Sequence, residues 1–598
     1  MQYLKDEHCT VIAMRDLARF VDPAQRPQDP YAPITHRLAT PRDLAAKPVA
    51  NPLGLNLNEH SLGWQLPAAG GKQSAFHILV ASDRQKLDAD VGDLWDSGWR
   101  HSAQHADVPY RGTALRAGAE VWWKVRVRTD TGATGAFSEA SAIKTADLPK
   151  PPKASDNASA EGGEPEPIDG QDGKAIEHRI VFLGNTLMYG LDQHGYLETA
   201  LTARWPHHDL TFRNLGWPAD DVFGTARSEF GSDQNTGGWQ PPGTKQGFGY
   251  SVMMKQLADA RATSVIVGYG SEAAFAASDA ELKRFQEGYE ALLADLEKSG
   301  AKIILLGPPR HEAFGPPMPD PAEQNLRLQR VSAWIGEVAK QRGHRFVELF
   351  DSLVARTPEE RLTDNGVHLN QLGYQRMAET MLRQLGIRED GASVAFGERG
   401  IVLQSSGARL SEVEQTARGF RFDLTTDTLP TAAWTAPATI AATGDTVLKI
   451  DAETRAEAGG EQWGEGVPIT SSPDVDHAEE LRQLIGKKNQ FYRQRLRPLN
   501  KTYIFLFRRH EMGHLAYELD DLQRLAEENE EVIAKLRVPR PHRYSLEQSR
   551  GWKSPRDYPD HEVPKHIPPP NTDTELKEFT VADGLEANLF AEDPMIAN

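Results

Sequence analysis

Between residues 178 and 388 five short apolar runs each end in Gly, Pro or Asp: RIVFLG, LTFRNLG, SVIVGYG, KIILLGPP and RFVELFD. Amphipathic helical stretches separate them, among them ELKRFQEGYEALLADLEKSG and NLRLQRVSAWIGEVAKQRG. Strands that alternate with helices pair in parallel, because the crossover returns each strand in the same direction. Such a sheet is covered on both faces, so its strands read as continuous apolar runs. The pattern predicts an α/β three-layer sandwich over residues 177–390. It also predicts where chemistry gathers, at the carboxyl ends of the strands. Thr186, Gly216, Gly270 and Pro308 stand at such ends.

The residues at those ends form an ordered set. Asn185 and Thr186 follow the first run, and Gly216 follows the second within NLGWPADD. Gly270, Ser271 and Glu272 follow the third, and LTDNGVHLNQLGY places His368 after an acidic turn. An ester hydrolase needs a hydroxyl nucleophile, oxyanion donors, a histidine base and a group that orients the base. Thr186, Gly216, His368 and Asp364 or Asn365 meet those needs by residue type. Arg310, His311 and Glu312, in PPRHEAFGPP after the fourth run, are candidates for the same mouth or for surface pairing with one another.

On these residues the domain resembles the SGNH, or GDSL-type, hydrolases, which implies a flavodoxin-like fold. The family's Gly-Asp-Ser-Leu block is matched by Gly184-Asn185-Thr186-Leu187. Its second block, which lends a glycine N–H to the oxyanion, is matched by Gly216, and its final Asp-x-x-His by Asp364, Asn365 and His368. The likeness is closer to the version in large multidomain planctomycete and verrucomicrobial proteins. There the domain precedes a β-propeller and a c-type haem segment. NLGWPADDVFG, GPPRHEAFGPPMPDP, LRQLIGKKNQFYRQRLRPLNKTYIFLFRRHE and FTVADGLEANLFAEDP carry that likeness over residues 178–598.

Four departures bear on activity. Thr186 keeps a hydroxyl but adds a methyl that restricts χ1. Asn185 replaces an acid. Glu272 stands where the family has an amide-donating Asn, and a carboxylate accepts hydrogen bonds unless protonated. Asn365 takes the usual Asp position three residues before His368, with Asp364 one residue further away.

The rest of the chain reads as accessory. Residues 1–47 are an irregular, Pro-rich lead-in. Residues 48–147 carry short β-branched and aromatic runs, read as a β-sandwich. In VWWKVRVRT, Val121, Trp123, Val125 and Val127 alternate with Trp122, Lys124, Arg126 and Arg128. NPLGLN, AFHILVAS, LWDSG and VPYRGTAL resemble the fibronectin type III-like domain at the front of bacterial α-L-rhamnosidases. Residues 148–176 are a polar linker with little to bury. Residues 391–475 form a small β-rich segment and 476–540 a charged helical region. Residues 541–598 read as Pro-rich loop and the start of a truncated propeller, whose absent remainder is a possible partner domain.

Composition narrows the function. The net charge of -18 disfavours nucleic acid and anionic membranes as partners, because both bind clustered Lys and Arg. The single cysteine, Cys9, excludes a CxxCH haem attachment and an internal disulfide. No apolar run is long enough to span a bilayer, and no signal peptide is read at the N-terminus. Compartment stays open, extracytoplasmic by resemblance.

His510-Glu511-Met512-Gly513-His514 is a formal HExxH, which on a helix places two zinc ligands one turn apart. Gly513 and the strand-like KTYIFLFRR before it argue against that helix, so His510 and His514 are weak metal candidates. The leading expectation is an ester hydrolase of the SGNH type acting on an acylated carbohydrate or other small ester, with no cofactor. The first alternative is a catalytically silent carbohydrate-binding or scaffolding module, and the second a zinc peptidase.

Overall fold

The computed structural model describes residues 40–55, 57–66, 72–130, 132–146, 178–228, 247–387, 391–431, 438–498 and 517–548. The linker at 148–176, the HExxH segment and all but the first residues of 541–598 lie outside the described residues.

The parallel sheet has five strands: His178–Gly184, Leu210–Asn214, Ser264–Gly268, Lys302–Leu306 and Arg345–Val347. In space the second lies outside the first, and the third, fourth and fifth follow on the other side. This 2-1-3-4-5 order is the doubly wound, flavodoxin-like arrangement, whose strand order reverses between strands one and three. Both faces are buried. Ile180, Phe182, Ile266 and Ile304 pack with helices Tyr196–Arg204 and Gln371–Leu385. Val181, Leu183, Val265, Val267 and Leu305 pack with helices Phe248–Ala260, Asp279–Glu297 and Ala322–Arg342.

The N-terminal domain has two antiparallel sheets, one of them built on the Gln73–Ala81 and Glu120–Thr129 pair. Val121, Trp123, Val125 and Val127 are buried and Trp122 is half-exposed, as the alternation predicts. Lys124 departs from it. It is buried and its amine donates to Leu87 O and Asp90 Oδ1, both at 2.5 Å. Arg42–Pro48 is already a strand, paired with His60–Gln65, although the sequence reads as lead-in to residue 47. NPLGLN leaves the sandwich: Leu53 and Leu55 join the core of the α/β domain.

The charged helical region is part of the folded body. Helix Pro473–Leu496 packs on helices Thr186–His194 and Tyr196–Arg204, and helix Tyr517–Leu536 packs against it. A buried ion pair locks the first of these contacts. Lys488 Nζ lies 2.6 Å from Glu198 Oε1, with side chains 2% and 7% exposed. Asn489 Nδ2 donates to Glu198 Oε2 at 2.8 Å.

His542–Gln548, read from sequence as loop, is a strand. It pairs antiparallel with Gly419–Thr426 on one side and Thr446–Ile450 on the other, in the middle of the five-stranded sheet of the C-terminal β domain. Tyr544 and Leu546 alternate into the core with Arg543 and Ser545 between them. Seven residues with that alternation are too brief and too polar to read as a strand against a Pro- and His-rich background.

Lys488→Met leaves Glu198 buried without its cation. It is expected to cost about 3–5 kcal/mol in denaturant unfolding, whereas the double variant Glu198→Leu/Lys488→Met recovers most of that loss.

Candidate active site

The first strand delivers its turn through a tight packing point. Gly184 and Gly268 end strands one and three side by side. A Cβ on either would fall within about 2.5 Å of Met188, so only hydrogen fits. Asn185 then caps helix Thr186–His194, its Oδ1 accepting from Leu187 N at 3.1 Å. Thr186 is therefore the first helical residue, at the positive end of the helix, where its own N–H has no acceptor within the helix.

The third strand's turn is bound to the first by two of the departures acting together. Glu272 Oε2 accepts from Asn185 Nδ2 at 3.0 Å and from Gly270 N at 2.8 Å. Where the resemblance implies an acid and an amide, this chain has an amide and an acid. The two side chains bond to each other, the amide as donor and the carboxyl as acceptor. Glu272 is thus a brace between strands one and three, across the reversal of strand order. Its other oxygen, Oε1, is buried without a partner. Burial pushes the carboxyl up to about 7, against the hydrogen bonds from Gly270 and Asn185 and with the nearby charge of Asp221 adding to the rise.

The second strand's turn behaves differently from expectation. Gly216 N donates to Asn214 Oδ1 at 2.7 Å. That N–H is spent inside the protein and does not face the cavity, which corrects its reading as an oxyanion donor. Gly216 is instead a close-approach residue, since a Cβ would lie 2.3 Å from Tyr189 N. The N–H that reaches the site belongs to Ala219, which donates to Thr186 Oγ1 at 3.1 Å. Ala219 has φ 58°, an uncommon conformation for a residue with a Cβ. The turn is held by the buried Asp220–Arg227 pair at 2.8 Å, with Tyr269 Oη donating to Asp220 Oδ2 at 3.1 Å.

His368 stands on a turn cradled by Glu312. The Glu312 carboxylate accepts from Leu362 N, Thr363 N and Thr363 Oγ1, and its own N–H donates to Gly366 O. Glu312 therefore positions the histidine turn. Arg310 turns away to Asp351. His311 is buried against Phe275, and burial and then the charge of His368 lower its pKa.

The side chain that meets the His368 ring is Asn365. Its Oδ1 accepts from Val367 N at 3.1 Å and His368 N at 2.9 Å, so its amide nitrogen must face His368 Nδ1, at 3.3 Å. An N–H donated to Nδ1 makes that nitrogen the acceptor and leaves the ring proton on Nε2. An aspartate in this position would accept from Nδ1 and select the opposite tautomer. Asp364 does not orient His368. It makes neither an ion pair nor a hydrogen bond with the ring, and its charge acts instead on His194, opposing the lowering by burial.

These turns enclose one cavity of about 370 Å³. Asn185, Thr186, Ala219, Glu272, Phe275 and His368 are in its wall. Gly216, Gly270, Asp364 and Asn365 are not in its wall. Thr186 and His368 share the cavity, but no hydrogen bond joins them. Tyr374 closes the back, donating to Leu187 O at 3.0 Å. Sequence reasoning missed Ala219 and Phe275. The bare WPADD turn signalled the first, and nothing in the sequence signalled the second. His510 and His514 lie outside the described residues, and among the described residues no cluster of three metal-ligating side chains occurs.

Glu272 gives the site a pH signature. Its folded pKa lies above the ordinary 4.5, so the stability of its neutral form is complete below that value and is lost as pH rises through about 7. The full loss is about 3 kcal/mol. Asp192, raised by burial to about 7, titrates in the same window. The measurement is therefore a difference: between about pH 5 and about pH 8, Glu272→Gln is expected to lose about 3 kcal/mol less unfolding free energy than wild type.

Residues 183–376 match the model of the GDSL-like lipase/acylhydrolase family, and residues 41–149 match the Rha78A-like N-terminal immunoglobulin domain. An alpha-L-rhamnosidase of Formosa agariphila is 37% identical over 92 residues, 15% of this chain and 10% of that protein's length. A gut microbial diltiazem-metabolizing enzyme is 14% identical with a TM-score of 0.49, over 63% of this chain and 98% of its own. An acetylxylan esterase from Geobacillus stearothermophilus is 13% identical with a TM-score of 0.27, over 36% of this chain and 98% of its own. The chain thus carries a Rha78A-like immunoglobulin domain followed by a domain of the GDSL-like lipase/acylhydrolase family.

Proposed function

We propose that the protein is an ester hydrolase that removes a short acyl group from a carbohydrate or another small ester. The observation that carries this reading is the shared cavity. A hydroxyl from the first strand and a histidine from the last turn of the domain line one space, with the Ala219 N–H directed at that hydroxyl. Thr186 Oγ1 attacks the acyl carbon, the alcohol leaves, and water releases the acid. His368 takes the hydroxyl proton and passes it to the leaving oxygen. The N–H of Thr186 at the helix N-terminus favours the oxyanion, and the Ala219 N–H joins it once its hydrogen bond to Thr186 Oγ1 is released. The apolar wall is short, formed by Leu187, Pro309, Val367 and Leu369, and suits a small acyl group. The sugar alcohol is supported by the neighbouring immunoglobulin domain, whose relative is a rhamnosidase.

The rate is expected to be low, because Asn365 keeps the proton on the nitrogen that must accept one. The same contact favours a second reading, a silent carbohydrate-binding or scaffolding module. Turnover of p-nitrophenyl acetate and acetylated xylan separates the two. Under the esterase reading, Thr186→Ala and His368→Ala fall to background, and Asn365→Asp raises kcat at least tenfold. The upper bound is the roughly 10⁴-fold that a wrong tautomer costs a hydroxyl–His–Asp site. Identical background rates from wild type, His368→Ala and Asn365→Asp would establish the silent module.

A further inference from the structure

A second cavity, of about 260 Å³, lies between the immunoglobulin domain and the C-terminal β domain. Its edges are fixed by contacts between those domains. Arg100 Nη2 lies 2.8 Å from Asp427 Oδ1, Ser405 N donates to His101 O at 2.8 Å, and His101 N donates to Ser405 Oγ at 3.0 Å.

One buried polar group in its wall, the Tyr544 hydroxyl, has unused hydrogen-bonding capacity, and Asp474 stands beside it with both oxygens engaged. Tyr544 is 3% exposed, and its hydroxyl makes no hydrogen bond to a described residue. Burial, followed by the charges of Asp474 and Asp451, pushes that phenol upward, so it stays a donor. Asp474 is 2% exposed, and its Oδ2 accepts from Thr426 Oγ1 at 3.0 Å. Its Oδ1 is sealed from the cavity and ion-paired with His542, whose Nε2 lies 3.5 Å away and whose pKa the pair raises. Leaving such a hydroxyl as that of Tyr544 unmatched costs about 1–3 kcal/mol, a cost that a ligand or ordered water removes.

The rest of the wall narrows the ligand. Arg100 and Arg111 are balanced by Asp427 and Asp474, so the cavity has no net pull on an anion or a cation. Donors and acceptors are both present, and Phe76 and Trp95 add apolar surface. The volume falls just below the range of roughly 300–1,000 Å³ for drug-sized ligands. A neutral ring with hydroxyls on its edge and an apolar face meets all of these conditions. We propose that this interdomain cavity binds one pyranose-sized unit of a neutral carbohydrate. The site is separate from Thr186 and His368 and does not depend on the hydrolase reading.

Calorimetric titration of the full chain with the methyl glycosides of xylose, glucose, galactose and rhamnose tests the assignment. At least one is expected to bind, with a dissociation constant of about a millimolar or tighter. Tyr544→Phe removes only an unbonded hydroxyl and is expected to weaken that binding roughly three- to tenfold, leaving p-nitrophenyl acetate turnover unchanged. Ser406→Trp, at the exposed rim, abolishes binding, and His368→Ala leaves it intact. The assignment is overturned if none of the four binds, if Tyr544→Phe binds as wild type does, or if His368→Ala removes the signal.

Discussion

The Glu272 carboxylate accepts from Asn185 and Gly270, and through that bond the turns of strands one and three become a single unit. The bond lies where the strand order of the parallel sheet reverses, the place where two neighbouring turns diverge and leave a crevice. Asn185 in turn caps the helix that presents Thr186. The same side chain therefore sets the crevice floor, the start of the helix and the direction of the hydroxyl. A buried carboxylate is a costly brace, and its raised pKa is the measure of that cost.

Two other braces act on the opposite side of the cavity. Glu312 gathers three donors from residues 362 and 363 and so holds the histidine turn in place. Asn365, further along the same turn, brings its amide nitrogen to 3.3 Å from Nδ1 of His368. Thr186 and His368 line one cavity, while Asn365 turns an amide N–H toward the His368 ring where the resemblance implies a carboxylate.

The flanking segments extend this logic beyond the domain. Buried acids on the α/β domain, Glu198 and Asp192, face cations from the helix at residues 473–496. Arg213 is likewise paired with Glu530 of the following helix. Buried charges need partners, so the domain and the helical pair form one packed body. The strand at His542–Gln548 ties the end of the same segment into the C-terminal β sheet.

Much of this was readable in the residues. The doubly wound class, the strands, the positions of Thr186, Glu272 and His368, and the alternation of Val121 to Val127 follow from periodicity and turn chemistry, which are local. The exchanged pair Asn185–Glu272 was readable only as two separate anomalies, because its meaning is a hydrogen bond between residues 87 positions apart. Gly216, Asp364 and Ala219 depended on where each N–H or carboxylate points, which spacing does not encode. The amino-acid sequence by itself determined a parallel sheet with its candidate chemistry at the carboxyl ends. Only the tertiary structure decided which of those groups face one cavity and which side chain meets the His368 ring, because both depend on contacts that exist only once the turns have packed.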